Sequence, residues 1–175
     1  MKSFSEPARQ EALAYLERYP TKEAALLPIL HIAQKEFGFL DEEAELAVAE
    51  LMDLSPVTVR ETSMFYFMFH RHPIGKYHFQ VCHNISCTLM GAETILDHLK
   101  NRLGIEDGQR TEDGLFSVER VECIACCDRG PAMLVNDQLH TDLTPQKLDD
   151  LIKKYDPKRK FEEPGKTEES RSDSR

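Results

Sequence analysis

The chain has no tryptophan, and its aromatic residues make up only 8% of the sequence. Its longest apolar run, residues 64–69, is six residues long. A bilayer-spanning helix needs roughly 20, so none is expected. An excess of positive charge is also missing, with 22 Lys and Arg against 31 Asp and Glu for a net charge of −9. An acidic chain is repelled by phosphate backbones, which argues against nucleic-acid binding unless a local basic patch offsets it. The densest basic stretch, Lys153-Lys154 with Lys158-Arg159-Lys160, adjoins Glu162 and Glu163 and reads as a solvated helix end running into a tail. Glycine is sparse, and neither G-x-G-x-x-G nor a glycine-rich phosphate loop occurs, so no nucleotide is expected to bind this chain directly. The opening Met1-Lys2-Ser3-Phe4-Ser5-Glu6 lacks the apolar stretch of a secretory signal and the arginines of a transit peptide, so a cytoplasmic protein is expected.

The remaining composition, 41% hydrophobic and 30% charged over 175 residues, is that of a globular protein. The length suits one ordinary domain, or a small helical piece joined to a compact core. The first 70 residues carry helical signals. Thr21 can cap a helix whose Leu26, Leu30, Ala33 and Phe37 keep a helical period, with Pro28 at a kink or in its true first turn and Gly38 as its stop. Asp41 can cap a second helix with Ala44, Ala47, Val48 and Leu51 on one face, and Ser55-Pro56 opens a third. Residues 64–69 are expected to be core, with part of the run free to face a partner.

From Lys76 the period changes. Tyr77, Phe79 and Val81 alternate with His78 and Gln80, as in a half-buried strand. Ala92, Ile95, Leu96, Leu99 and Leu103 then mark an amphipathic helix. Residues 115–121 and 132–135 read as further strands, and Asn136-Asp137 as a turn into a short fourth strand near Leu139. Thr144-Pro145 opens a last helix with Leu148, Leu151, Ile152 and Tyr155 inward. The expected fold is α/β: a helical segment over 1–70, then a β-α-β-β-β-α sandwich over 71–155. The first crossover should be parallel and right-handed. Residues 156–175, rich in charge, Pro, Gly and Ser, are expected to be a disordered tail.

Five cysteines in a reducing compartment do not make a disulfide framework, and an odd, clustered set points to metal binding or catalysis. Cys82 and Cys87 follow the first strand, and Cys123, Cys126 and Cys127 follow the second, with 35 residues between the two groups. Parallel strands of one β-α-β unit end at the same sheet edge, so the two loops should meet. Four thiolates drawn from two loops suit a two-iron cluster. Zinc also accepts four thiolates, and spacing alone only favours iron–sulfur over it. Cys123-Ile124-Ala125-Cys126 is formally a dithiol motif, but a thioredoxin carries its pair after the first strand, where Cys82 and Cys87 stand. A Rieske centre would need Cys-x-His in each loop, whereas His83 directly follows Cys82. His31, His70, His72, His78, His98 and His140 form no ligand pair with the cysteines and are expected in surface or structural roles.

The motifs V-C-H-N-I-S-C-x3-G-A, D-G-L-F-S-V-E-x-V-E-C-x3-C and A-M-L-V-N-D, with the helical lead-in A-L-L-P-I-L-H-I-A-Q-K-E-F-G, resemble the thioredoxin-like 2Fe–2S family. Within it the likeness is to the E-type small subunit of bacterial NADH:quinone oxidoreductases (complex I), with relatives in NAD-linked hydrogenases and formate dehydrogenases. The resemblance implies one 2Fe–2S cluster on Cys82, Cys87, Cys123 and Cys127. It further implies one-electron exchange with FMN on a flavoprotein partner that binds NADH, and a place at the cytoplasmic side of the inner membrane. Family members usually read C-L-G-A-C where this chain reads C-I-A-C-C, so Cys126 stands at a usual alanine and Ala125 at a usual glycine. The C-x3-C register favours Cys127 over Cys126. Asn84, Ser86 and the loop amides are candidate donors to sulfur, set against a plain turn role for the two side chains. The reading from a different class is a non-enzymatic adaptor stabilised by zinc on four cysteines.

Overall fold

Pro7 sits in the first turn of helix α1 (Glu6–Arg18), where a missing N–H is tolerated. The buried face of α1 is only Ala8 and Ala12, too slight to give a strong periodic signal in sequence. The computed structural model describes residues 2–159. Thr21 Oγ1 accepts the Ala24 N–H at 3.3 Å and so opens a 3-10 turn over Glu23–Ala25 rather than the helix itself. Helix α2 (Leu26–Phe37) begins after that turn, with Pro28 in its first turn, and ends at Gly38 with φ +83°. Only glycine adopts that left-handed turn without cost. Asp41 caps α3 (Glu42–Met52) through the Ala44 N–H, and Ser55 caps α4 (Pro56–Phe65) through the Val57 N–H. The apolar faces of these helices close on Ile29, Leu30, Leu40, Val48, Met52 and Val59 as a core of their own.

The second core lies against a four-stranded sheet ordered β2-β1-β3-β4. Strand β1 (Tyr77–Cys82) pairs in parallel with β2 (Phe116–Val121), Cys82 facing Val121. It pairs antiparallel with β3 (Met133–Val135), which returns through Asn136, at φ +54°, to β4 (Gln138–His140). The five-residue α5 (Ile85–Leu89) and then α6 (Ala92–Leu103) make the crossover between β1 and β2, and α7 (Pro145–Tyr155) follows β4. Phe79, Phe116, Leu96, Leu99, Met133, Leu148 and Ile152 fill the interior. Each such side chain contributes about 1.5–3 kcal/mol by leaving water.

Three further expectations change. Most of the run at 64–69 is not core: Met64 and Phe65 are exposed, Tyr66 and Phe67 are only partly covered, and only Met68 and Phe69 pack into the helical core. The reason is that α4 ends at Phe65 and the chain must then cross to the sheet. That crossing also changes β1, which is buried on both faces rather than one. His78 and Gln80 sit under the crossover, with the His70 and His78 rings 4.9 Å apart and Gln80 Nε2 donating to the Phe67 carbonyl at 3.4 Å. Burial and the neighbouring His78 hold His70 down to about 4. Gln34 fixes the crossover from the helical side, accepting the His70 N–H at 2.6 Å and donating to the Met68 carbonyl at 2.9 Å. Third, order continues past Asp156 to Arg159, whose guanidinium lies 5.2 Å from the Phe116 ring centre and donates to the Leu103 carbonyl at the end of α6. The expected tail over residues 160–175 lies outside the described residues.

Gly75 marks where the crossover meets the sheet. Its N–H donates to Ser117 Oγ, and a β-carbon there would lie 2.3 Å from the Phe116 carbonyl carbon. Gly75→Ala is therefore expected to lower the unfolding free energy by about 2–3 kcal/mol, read in denaturant melts, because backbone on both sides must shift. A loss of under about 0.5 kcal/mol would mean that this approach is not tight.

Candidate metal centre

Parallel pairing of β1 with β2 delivers both cysteine loops to one sheet edge. The first loop is shaped by Asn84, whose side chain caps α5 by accepting the Ile85 N–H and bridges to the second loop by donating to Glu122 at 3.2 Å. Thr88 Oγ1 closes the same turn on the His83 carbonyl at 2.6 Å. The His83 N–H donates to the Val121 carbonyl and the Cys82 N–H to the Ala132 carbonyl, so backbone bonds tie the loop to both neighbours. Cys82 ends β1 and Cys87 lies on α5, and both are buried.

The second loop leaves β2 at Val121 and turns through Ala125 at φ +58°. That left-handed conformation explains why glycine suits the position, and alanine holds it at some strain. The turn folds the Ala125 N–H onto Cys123 Sγ at 3.4 Å and brings Cys123 Sγ within 3.6 Å of Cys127 Sγ. Cys127 opens a 3-10 turn (Cys127–Arg129), which the Arg129–Asp142 ion pair at 2.7 Å fastens to the loop after β4. Cys126, like Ile124, is half-buried against the sheet core, whereas Cys123 and Cys127 are exposed at the edge.

The electrostatics report how near the sulfurs are. Burial pushes the Cys87 thiol up to about 11, with the Cys82 and Cys127 sulfurs adding to the rise and the Ala132 N–H opposing it. Cys123 beside Cys127 raises that thiol too, partly offset by a hydrogen bond from the Ser86 hydroxyl. Sulfurs of Cys82, Cys87, Cys123 and Cys127 are therefore electrostatic neighbours at this edge, and Cys126 is half-buried against the adjoining core. Of the two side chains considered as donors, Ser86 reaches a sulfur and Asn84 serves the turn. The donor set, two thiols from each of two loops, fits a four-thiolate iron–sulfur group.

Residues 12–156 match the model of the thioredoxin-like [2Fe-2S] ferredoxin family. The chain belongs to that family. Relatives include the second E-type NADH-quinone oxidoreductase subunit of Rhizobium meliloti, 42% identical over 84% of this chain and 88% of that one. NADH-quinone oxidoreductase subunit 2 of Thermus thermophilus is 39% identical over 77% of this chain and 76% of its own length. Among solved structures, an NAD+-reducing [NiFe]-hydrogenase in the H2-reduced state superposes with a TM-score of 0.64 at 28% identity. The match covers 76% of this chain but only 22% of the hydrogenase chain. No helix among the described residues is long and apolar enough to cross a membrane.

What sequence reasoning missed is the closeness demanded at Gly130. A β-carbon there would lie 3.1 Å from Met90 Sδ and 3.4 Å from Cys87 Sγ, so the second loop lies directly on α5. Two branch methyls cannot enter that space. Gly130→Val is expected to cost about 1–3 kcal/mol by overpacking, and to make Cys87 react with a thiol reagent in the native cluster-free protein. Unchanged protection of Cys87 would show that the loops are not in contact.

Proposed function

We propose that this chain is the 2Fe–2S electron-carrying subunit of an NADH:quinone oxidoreductase, with Cys82, Cys87, Cys123 and Cys127 as cluster ligands. The observation that carries the reading is the convergence of these four sulfurs, from two distant loops, in a member of a 2Fe–2S family. When bound, such a cluster supplies a one-electron couple, which is what a two-electron hydride donor needs beside it. The chain's own residues bury Cys82 and Cys87 and aim the Ser86 hydroxyl and the Ala125 and Ala132 amides at sulfur, donors of the kind that tune potential. Cys123 and Cys127 lie on the exposed side, where electrons can enter or leave.

The partner in this reading is a flavoprotein that holds FMN and NADH, the assembly lying at the cytoplasmic face of the inner membrane. Residues 71–155 form the cluster domain, and residues 1–70 much of the dock. Support comes from apolar side chains left exposed on both parts: Phe65 at 79% on α4, and Ile85 at 74% and Leu89 at 83% on the helix that carries Cys87. Likeness to the hydrogenase supports a second reading, the equivalent module of an NAD-linked hydrogenase. Nickel in the copurified assembly would favour it.

Two outcomes test the proposal. Purified protein is expected to carry about two irons and two acid-labile sulfides per chain. Cys126→Ala should keep them, while Cys127→Ala and Cys82→Ala lose them. One zinc without sulfide, or bleaching by Cys126→Ala alone, would sink the assignment. For the dock, Phe65→Asp with Leu89→Asp should weaken binding to the flavoprotein by about tenfold or more. Leu139→Asp, exposed on β4, should leave binding unchanged. Equal binding by the Phe65 and Leu89 variants and the parent chain would place the dock elsewhere.

A further inference from the structure

The crossover and the polar face of the sheet enclose a cleft of about 420 Å³, lined in part by His70, His78, Ser117, Glu119 and Arg120. The cysteine chemistry makes no use of this group. One ligand atom from each of His70, His78 and Glu119 lies within 4.8 Å of the other two, although the residues come from the crossover, β1 and β2 respectively. His78 Nε2 and Glu119 Oε2 are 3.0 Å apart. We propose that His70, His78 and Glu119 form a zinc site, distinct from the cysteines, that ties the helical segment to the sheet.

Three features support a cation here beyond the gathering of side chains. First, Ser117 Oγ holds the other nitrogen of His78, Nδ1, at 2.7 Å and is itself held by the Gly75 N–H at 2.9 Å. A partner on the far ring nitrogen is the usual support of a metal-bound histidine, fixing tautomer and ring plane. With an ion on Nε2, Nδ1 would carry the ring proton and donate it to Ser117. Second, the positive side chains along the cleft are already neutralised, Arg71 by Glu45 and Arg120 by Glu93 and Asp107. Third, two imidazoles with one carboxylate are a zinc-type set, holding the metal at about 2.0–2.2 Å with a fourth position for water. The three ligand atoms already lie within 4.8 Å of one another, so closing the set requires only that His70, on the cleft wall, draw in towards the His78–Glu119 pair. An ion bonded to residues of both segments would then stabilise their mutual placement.

The proposal does not depend on the cluster assignment, and its test keeps the two apart. Full-length protein whose thiols are occupied by the cluster, or alkylated in a parallel sample, is titrated with zinc ions and desalted. Zinc, iron and sulfide are then counted, and the zinc X-ray absorption edge is recorded. The expected result is about one zinc per chain with nitrogen and oxygen neighbours, no sulfur, and unchanged iron and sulfide. Zinc should raise the melting temperature of the parent chain. His70→Asn and Glu119→Gln, both at positions not fully buried, should each weaken zinc binding about tenfold or more and abolish that rise. No zinc uptake, sulfur neighbours around the zinc, or variants that bind like the parent would each overturn the proposal.

Discussion

Everything at the metal centre depends on the parallel pairing of β1 with β2. Cys82 stands opposite Val121, so the loop after each strand starts at the same sheet edge. A slip of one residue would turn every side chain of a strand to the other face and take Cys82 away from its partners. The register is held on one face by Phe79, Phe116 and Val118 in the core, and on the other by the His78–Ser117 hydrogen bond. Backbone bonds from His83 to Val121 and from Cys82 to Ala132 continue the ladder beyond the strand ends. The loops thus begin from a rigid platform, and only short turns separate that platform from the sulfurs.

Within those turns, direction is decided by backbone conformation. Ala125 in the left-handed region reverses the chain between Cys123 and Cys127, so that these two sulfurs approach while Cys126 packs against the sheet core. An alanine there is strained where glycine would not be. The same closeness recurs at Gly130, which lets the second loop rest on α5 beside Cys87. Both positions are small residues at close approaches, and both sit between elements that are themselves well packed.

Much of this was legible in the residues. Caps at Asp41 and Ser55, the stop at Gly38, the amphipathic α6 and the turn at Asn136 are local features, and local features survive folding unchanged. The convergence of the cysteine loops was legible too, because parallel topology implies it. What could not be read was anything set by packing between distant segments. Residues 64–69 look like core by composition, yet the chain uses them to cross from helix to sheet. That crossing buries the His78 and Gln80 face of β1, which by alternation alone should face water. His70, His78 and Glu119 meet for the same reason, and no spacing in the sequence announces it. Arg159 is held by the end of α6 and the Phe116 ring, contacts invisible in a stretch that reads as a charged tail.

The central claim is that four thiolates on one sheet edge hold a single one-electron centre. A reductive titration of the full-length protein, followed by optical bleaching and electron paramagnetic resonance, tests it most directly. The account predicts uptake of about one electron per chain, bleaching in step with a paramagnetic signal, and no new titratable thiols. Uptake of about two electrons with the appearance of two free thiols, as a dithiol site would give, would contradict it, as would a colourless protein that accepts none.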